Sequence, residues 1–205
     1  MNVQHPITEK MIARLRSRKG VAIPTQDFLD LGGRSAVDQS LSRLVRQGVI
    51  RRVRWGLYEW PRMGKLLNEP LVQSPEALVR AWARQNGLRV VPSGAHAANL
   101  LGLSTQVPAK LVYYTNGRTQ TLALGPFGVR LLNRGPKTMD VSGRMAPLVF
   151  QALRHLGRNR VTSEAVHRLR SVLSGRDKAE LTRNLRHAAA WMKPVIGQIA
   201  GGRTR

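Results

Sequence analysis

An α+β fold is predicted for this 205-residue chain, and three observations predict it. Apolar residues recur at helical spacing over residues 6–47 and again after residue 145. Short β-prone runs flank glycine turns at 49–60 and 110–133. Glycine or proline stands at almost every boundary between these segments.

Residues 6–18 place Ile7, Met11, Ile12 and Leu15 on one helical face and Lys10, Arg14, Arg16 and Arg18 on the other. Gly20 ends that helix. Val21-Ala22-Ile23 is a short β run closed by Pro24, and Thr25 is placed to N-cap a brief helix through about Asp30. Leu31-Gly32-Gly33 then reads as a turn whose glycines adopt backbone angles other residues resist. A second helix runs from about Ser35 to Gln47, with Val37, Leu41, Leu44 and Val45 inward and Gly48 at its C-terminal cap. Its outer face carries Arg34, Ser35, Asp38, Gln39, Ser42, Arg43 and Arg46. Residues 49–54 and 57–60 form a hairpin turning at Trp55-Gly56; Pro61 stops it, and 61–73 reads as a linker.

Ser74-Pro75-Glu76 combines an N-cap, a proline at the first helical position and an acid in the first turn, so a helix runs to Gln85 with Ala77, Leu78, Ala81 and Trp82 buried. A strand at 88–91 and a small helix at 95–101 follow. Residues 110–114 and 118–124 flank Thr115-Asn116-Gly117, a hairpin signal, and 128–133 adds a third strand. The middle is therefore expected to be a small antiparallel sheet packed by helices. Three further helices, 145–156, 163–173 and 178–192, are punctuated by Gly157, Ser174-Gly175 and Pro194. The expected division is 1–62 as one domain, 63–195 as an α+β domain with C-terminal helices, and 196–205 as a disordered tail.

The formal net charge is +23, from 34 Lys and Arg against 11 Asp and Glu. Such a balance calls for a polyanionic partner, nucleic acid first and an anionic membrane surface second. The chain has no cysteine, which removes disulfides, thiolate nucleophiles and cysteine-ligated metal sites and fits a reducing cytoplasm. No signal-peptide core or membrane-spanning run is present, so a cytoplasmic protein is expected.

Catalysis is not expected. Beyond residue 65 the acids are Glu69, Glu76, Asp140, Glu164, Asp177 and Glu180, and all but Asp140 lie at or near helix starts, where they offset the helix dipole. No paired-carboxylate motif or phosphate-cradling loop appears, and His5, His96, His155, His167 and His187 lack ligand spacing. No metal or cofactor is expected either.

The order helix, short strand, helix, turn, helix, hairpin is that of a winged helix-turn-helix, whose second turn-linked helix enters the major groove of DNA. Arg34, Gln39 and Arg43 are the candidate base contacts, since arginine bonds guanine and glutamine bonds adenine bidentately. Ser35, Ser42 and Arg46, with Arg51, Arg52 and Arg54 of the hairpin, are the candidate backbone contacts. Three arginines crowded on one ribbon repel unless something negative relieves them, and phosphate does so. Trp55 at the tip suits either a groove edge or packing. In the C-terminal helices Arg154, Arg158, Arg160, Arg168, Arg170, Arg176, Arg183 and Arg186 fit either further phosphate contacts or a second reading, an interaction module or plain transcriptional regulator that holds an acidic protein partner.

Residues 93–125 carry S-G-A-H-A-A-N-L-L-G-L-S-T-Q-V-P and, further on, T-N-G-R. With the N-terminal arrangement, this text resembles the AbiEi-like antitoxins of type IV toxin–antitoxin and abortive-infection systems, over roughly residues 5–140. The resemblance implies a bacterial antitoxin that represses its own operon by binding an inverted repeat in its promoter. It also implies a nucleotidyltransferase-type toxin, functionally linked to it without direct binding as the expected mode. Antitoxicity would fall to the part after residue 70, with Thr105, Gln106 and Arg118 as candidate residues. Some relatives carry a nuclease-like extension, which the sparse carboxylates argue against here.

Overall fold

A computed structural model of the chain describes residues 6–64, 69–71 and 73–201. The fold is mixed α and β, and the chain divides into two compact units, Met1–Leu88 with Ala123–Gly128, and Arg89–Leu122 with Val129–Arg205.

The first unit begins with α1 (Pro6–Ser17), β1 (Ile23–Pro24), a 3-10 turn (Thr25–Phe28) and α2 (Arg34–Arg46). The hairpin of β2 (Arg51–Arg54) and β3 (Leu57–Glu59) follows. Met11, Leu15, Phe28, Val37, Leu41 and Leu44 meet Ile23, Ile50 and Tyr58 in one core. Both strand pairings are antiparallel, and the order is β1-β3-β2. Pro24 does not close the β run but pairs with Leu57 inside it, which an edge strand tolerates. Thr25 is not a cap: Pro24 holds that position without a side-chain bond, and the Thr25 hydroxyl donates to Gly56 O at 3.4 Å.

The turn before α2 has a different rationale from the one predicted. Neither Gly32 nor Gly33 is among the glycines at positive φ. A Cβ on Gly32 would lie 2.7 Å from Ile7 Cδ1, so this glycine lets α1 approach the turn. Arg14 fastens the same corner by donating to both carboxylate oxygens of Asp30 at 2.7 Å and to Asp27 O. At the other end of α2, Gly48 (φ +70°) donates to Val45 O and Val49 N donates to Leu44 O, each at 3.0 Å. This pair of bonds terminates the helix and aims the chain into β2.

The segment expected to be a linker carries backbone bonds of its own among the described residues. Gly64 N donates to Glu69 O and Leu71 N to Arg62 O; residues 65–68 and 72 lie outside the described residues. It leads into α3 (Pro75–Gln85), capped by Ser74 Oγ accepting from Ala77 N at 3.3 Å. α3 belongs to the first unit, so the boundary expected at residue 62 falls instead after Leu88. The cause is a set of long-range bonds: Arg84 donates to Asp27 at 2.8 Å, Gln26 Nε2 to Arg84 O at 3.1 Å, and Gln85 Nε2 to Trp55 O at 3.3 Å.

The sheet associated with the second part contains β4 (Val90–Pro92), β5 (Leu111–Thr115), β6 (Gln120–Leu124) and β7 (Phe127–Asn133), in the order β4-β5-β7-β6. It is mixed rather than antiparallel, because β5 pairs with β7 in parallel. Asn116-Gly117 therefore does not close a hairpin. Asn116 Oδ1 accepts from Arg89 N at 2.8 Å, and Gly117 O accepts from Asn133 Nδ2 at 2.7 Å, which holds the chain open as it passes over β7. The tight turn is one connection later, where Gly125 (φ +56°) joins β6 to β7.

Helices α4 (Gly94–Leu100), α5 (Pro136–Met139), α6 (Met145–Leu156), α7 (Ser163–Val172), α8 (Gly175–Arg183) and α9 (Met192–Ala200) complete the second unit. Val149, Phe150 and Leu153 of α6 are fully buried with Leu169, Leu181 and Met192. The helix predicted at 178–192 is shorter and shifted: α8 starts three residues earlier under a Ser174–Asp177 capping box and ends at Arg183, a 3-10 turn (Leu185–His187) follows, and α9 begins at Met192. Pro194, expected as a stop, sits in the first turn of α9, where no intrahelical N–H bond is lost. The tail expected at 196–205 is likewise helical through Ala200, because Ile196 and Ile199 are fully buried; residues 202–205 lie outside the described residues.

Candidate nucleic-acid interface

The amphipathic pattern of α2 turns Val37, Leu41 and Leu44 inward. Arg34, Ser35, Asp38, Gln39, Ser42, Arg43 and Arg46 together line one open depression on its outer face. All six α2 residues expected to contact DNA thus share a surface. Gly33 is the N-cap and makes no side-chain bond, so Ser35 lies within the first turn and is not the cap. That turn has no acid, and its free amides and dipole favour an anion. Asp38 modifies the picture. It accepts from Arg34 Nε at 2.8 Å, four residues away on an exposed face, so the acid lining the depression is paired within α2.

The three hairpin arginines are held by the protein in three different ways. Arg51 Nε donates to Glu59 Oε1 at 2.6 Å across the β2–β3 pair. Arg52 stacks its guanidinium over the rings of Trp55 and Tyr58, 4.6 and 5.6 Å from their centres. Arg54 Nη1 donates to Ala123 O at 2.8 Å. Relief of like charge on the ribbon therefore comes in part from Glu59, within the protein itself. Trp55 is 79% exposed and forms the platform for Arg52.

Glu59 was missed as a site residue, although its acid breaks the apolar run Leu57-Tyr58-Glu59-Trp60 directly opposite Arg51. It is fully buried. Burial pushes its carboxyl above the usual glutamate range, and the Arg51 guanidinium draws it partly back. Gln73 completes the group, with its amide donating to Glu59 Oε2 and its carbonyl accepting from Ala22 N at 3.1 Å.

In the second unit Thr105 and Gln106 are exposed on the loop after α4, and Arg118 is exposed after β5. Ser104 shapes that loop, its hydroxyl accepting from Gln106 N at 3.2 Å. Arg154 is half-buried; its Nη2 donates to His187 O at 3.1 Å, and burial lowers its pKa. No helix among the described residues is long and apolar enough to cross a membrane.

A family model described as "Family of unknown function (DUF6088)" matches residues 7–181. The chain belongs to that family. No curated protein matches the sequence. Among solved structures, the crystal structure of RV2827C protein from Mycobacterium tuberculosis is similar at 15% identity and a TM-score of 0.44, over 98% of this chain and 83% of that one. The match to DUF6088 spans α1 through most of α8, and so takes in both the α2 depression and the arginine hairpin.

Proposed function

We propose that this DUF6088 member is a DNA-binding autorepressor and antitoxin of the AbiEi-like kind, with a winged helix-turn-helix in its first unit and no catalytic activity. The observation that carries the DNA reading is the open polar and basic face of α2, where Ser35, Gln39, Ser42, Arg43 and Arg46 line one depression. In this reading α2 is the recognition helix: Gln39 and Arg43 read base edges, with Arg34 doing so once it leaves Asp38. Ser35, Ser42 and Arg46 take phosphates. The β2–β3 hairpin is the wing, and Arg51, Arg52 and Arg54 flank the duplex from it.

Antitoxicity is assigned to the second unit on the resemblance carried by residues 93–125, with Thr105, Gln106 and Arg118 as its surface candidates and a nucleotidyltransferase-type toxin as the functional counterpart. The only acids of this unit are Asp140, Glu164, Asp177 and Glu180. Asp177 and Glu180 are engaged in capping backbone amides, so the arginines of its helices outnumber the acids available to them. That imbalance favours a second reading, in which the helical surface holds an acidic protein.

The deciding experiment is a salt-controlled binding titration on the chain's own promoter against scrambled duplex of the same length. The DNA reading expects at least about 1000-fold preference for the promoter; equal affinity sinks it. Co-purification of a partner that survives moderate salt, with no promoter preference, selects the second reading.

A further inference from the structure

Helix α1 buries Thr8, Met11 and Leu15 against the first unit and leaves another face outside. Glu9, Ile12, Ala13, Arg16 and Ser17 line an open depression along that face, and all but the half-buried Ile12 are exposed. Their spacing is that of a stripe suited to packing against a second helix. The charges near its two ends are not used within the fold. Arg14 of the same helix is bound by Asp30, whereas neither Glu9 nor Arg16 meets an opposite charge among the described residues. Arg16 lies over the Trp60 ring at 5.1 Å, which engages the face of its guanidinium and leaves the in-plane N–H groups to donate elsewhere. Seven residues, about 10.5 Å of helix rise, keep Glu9 and Arg16 from pairing with each other.

An antiparallel copy of the same helix satisfies both charges at once. The pairs Glu9 with Arg16 and Ile12 with Ala13 share one midpoint on α1, so a two-fold axis through it sets each residue against its counterpart in the other copy. Two ion pairs then flank a seam in which the larger Ile12 faces the small Ala13, twice. We propose that this face of α1 is the contact between two copies of the chain. The helix has 12 residues, about 18 Å of length, so the contact is of the small class that forms exchangeable rather than obligate dimers. A two-fold pair also presents α2 twice about one axis, as an inverted repeat requires. That consequence alone rests on the DNA reading; association is measured without DNA, so the two ideas fail separately.

The test is sedimentation equilibrium of the full-length chain from about 10 µM to 1 mM in about 0.3 M salt. There the Debye length is about 6 Å, which screens the repulsion between two chains of net charge +23 more than it screens ion pairs in contact. A concentration-dependent dimer is expected. Glu9→Arg and Arg16→Glu each set like charges face to face twice and should weaken association at least about fivefold. An equimolar mixture of these two variants restores both pairs and should associate within about twofold of the wild type. Charges that serve only the helix dipole would not be rescued by mixing. Because the chain has no cysteine, Ala13→Cys introduces a lone thiol beside the axis. A short bis-maleimide should link it at least about tenfold faster than the thiol of Ser171→Cys, exposed on α7. A wild type that stays monomeric to about 1 mM overturns the proposal. So does a mixture no tighter than its components, or equal linking at the two thiols.

Discussion

Gln73, on the segment entering α3, donates its amide to the buried carboxylate of Glu59 on β3, fourteen residues away. The same side chain accepts from Ala22 N just before β1, so one glutamine ties the start of the sheet, its central strand and the chain leading to α3. Removing the acid should undo all of this. Glu59→Gln sets an amide against two donors, Arg51 and Gln73, and is expected to cost about 2–3 kcal/mol. Urea unfolding of the two proteins measures it, and a change below about 0.5 kcal/mol contradicts the network.

The pH dependence carries the same signature. Burial raises the Glu59 carboxyl above its ordinary value in the folded chain, so the folded state holds that proton better than the unfolded state does. The resulting stability is complete below the ordinary glutamate range and is lost as pH rises through the raised folded value. Urea midpoints taken between about pH 4 and pH 8 should show a falling limb for the wild type that Glu59→Gln lacks.

DNA-contact residues should separate by kind under the proposed reading. Arg43→Ala is expected to cost about 1–3 kcal/mol on the preferred site and little on scrambled duplex. Arg46→Gln should weaken both equally and reduce the slope of log affinity against log salt by about one. Titrations at several salt concentrations distinguish these outcomes.

Gly32→Ala should cost about 1–2 kcal/mol, because its new methyl lies against Ile7 Cδ1. Ile7→Val withdraws that terminal carbon, so the double variant should regain most of the loss in thermal unfolding. Strain at positive φ would not be rescued this way.

These sites also mark how much the sequence disclosed. The helices of the first unit were legible because Met11, Leu15, Val37, Leu41 and Leu44 repeat at helical spacing. The outward set on α2 follows from the same periodicity. What escaped depended on partners distant in sequence. Nothing local to Asn116-Gly117 says that β7 will lie between β5 and β6, and nothing local to Glu59 says that Gln73 will return to it. Pro194 misled because proline stops a helix from within but suits its first turn. The second unit's candidates stayed on exposed loops, where spacing carries no constraint from packing.

Glu180 of α8 should be as consequential as its surroundings suggest. It accepts from Met145 N at 2.7 Å and Ala146 N at 2.6 Å, serving as the N-terminal cap that α6 lacks locally. Glu180→Ala is expected to cost about 1–2 kcal/mol in denaturant unfolding, whereas Asp140→Ala, an exposed acid 3.9 Å from Arg89, should cost less than about 0.5 kcal/mol.

That borrowed cap reaches further than one helix end. A Cβ on Gly143 would stand 2.0 Å from Glu180 Cδ, so the carboxylate occupies space that only this glycine leaves open. The first turn of α6 can complete its bonding only after α8, more than thirty residues later in synthesis, has docked. The two helices should therefore open and close as one cooperative block, and the amides of Met145 and Ala146 should exchange with solvent deuterium in step with the interior of α8. A nascent or proteolysed chain ending before Glu180 would carry α6 with an unravelled beginning, however intact its own sequence.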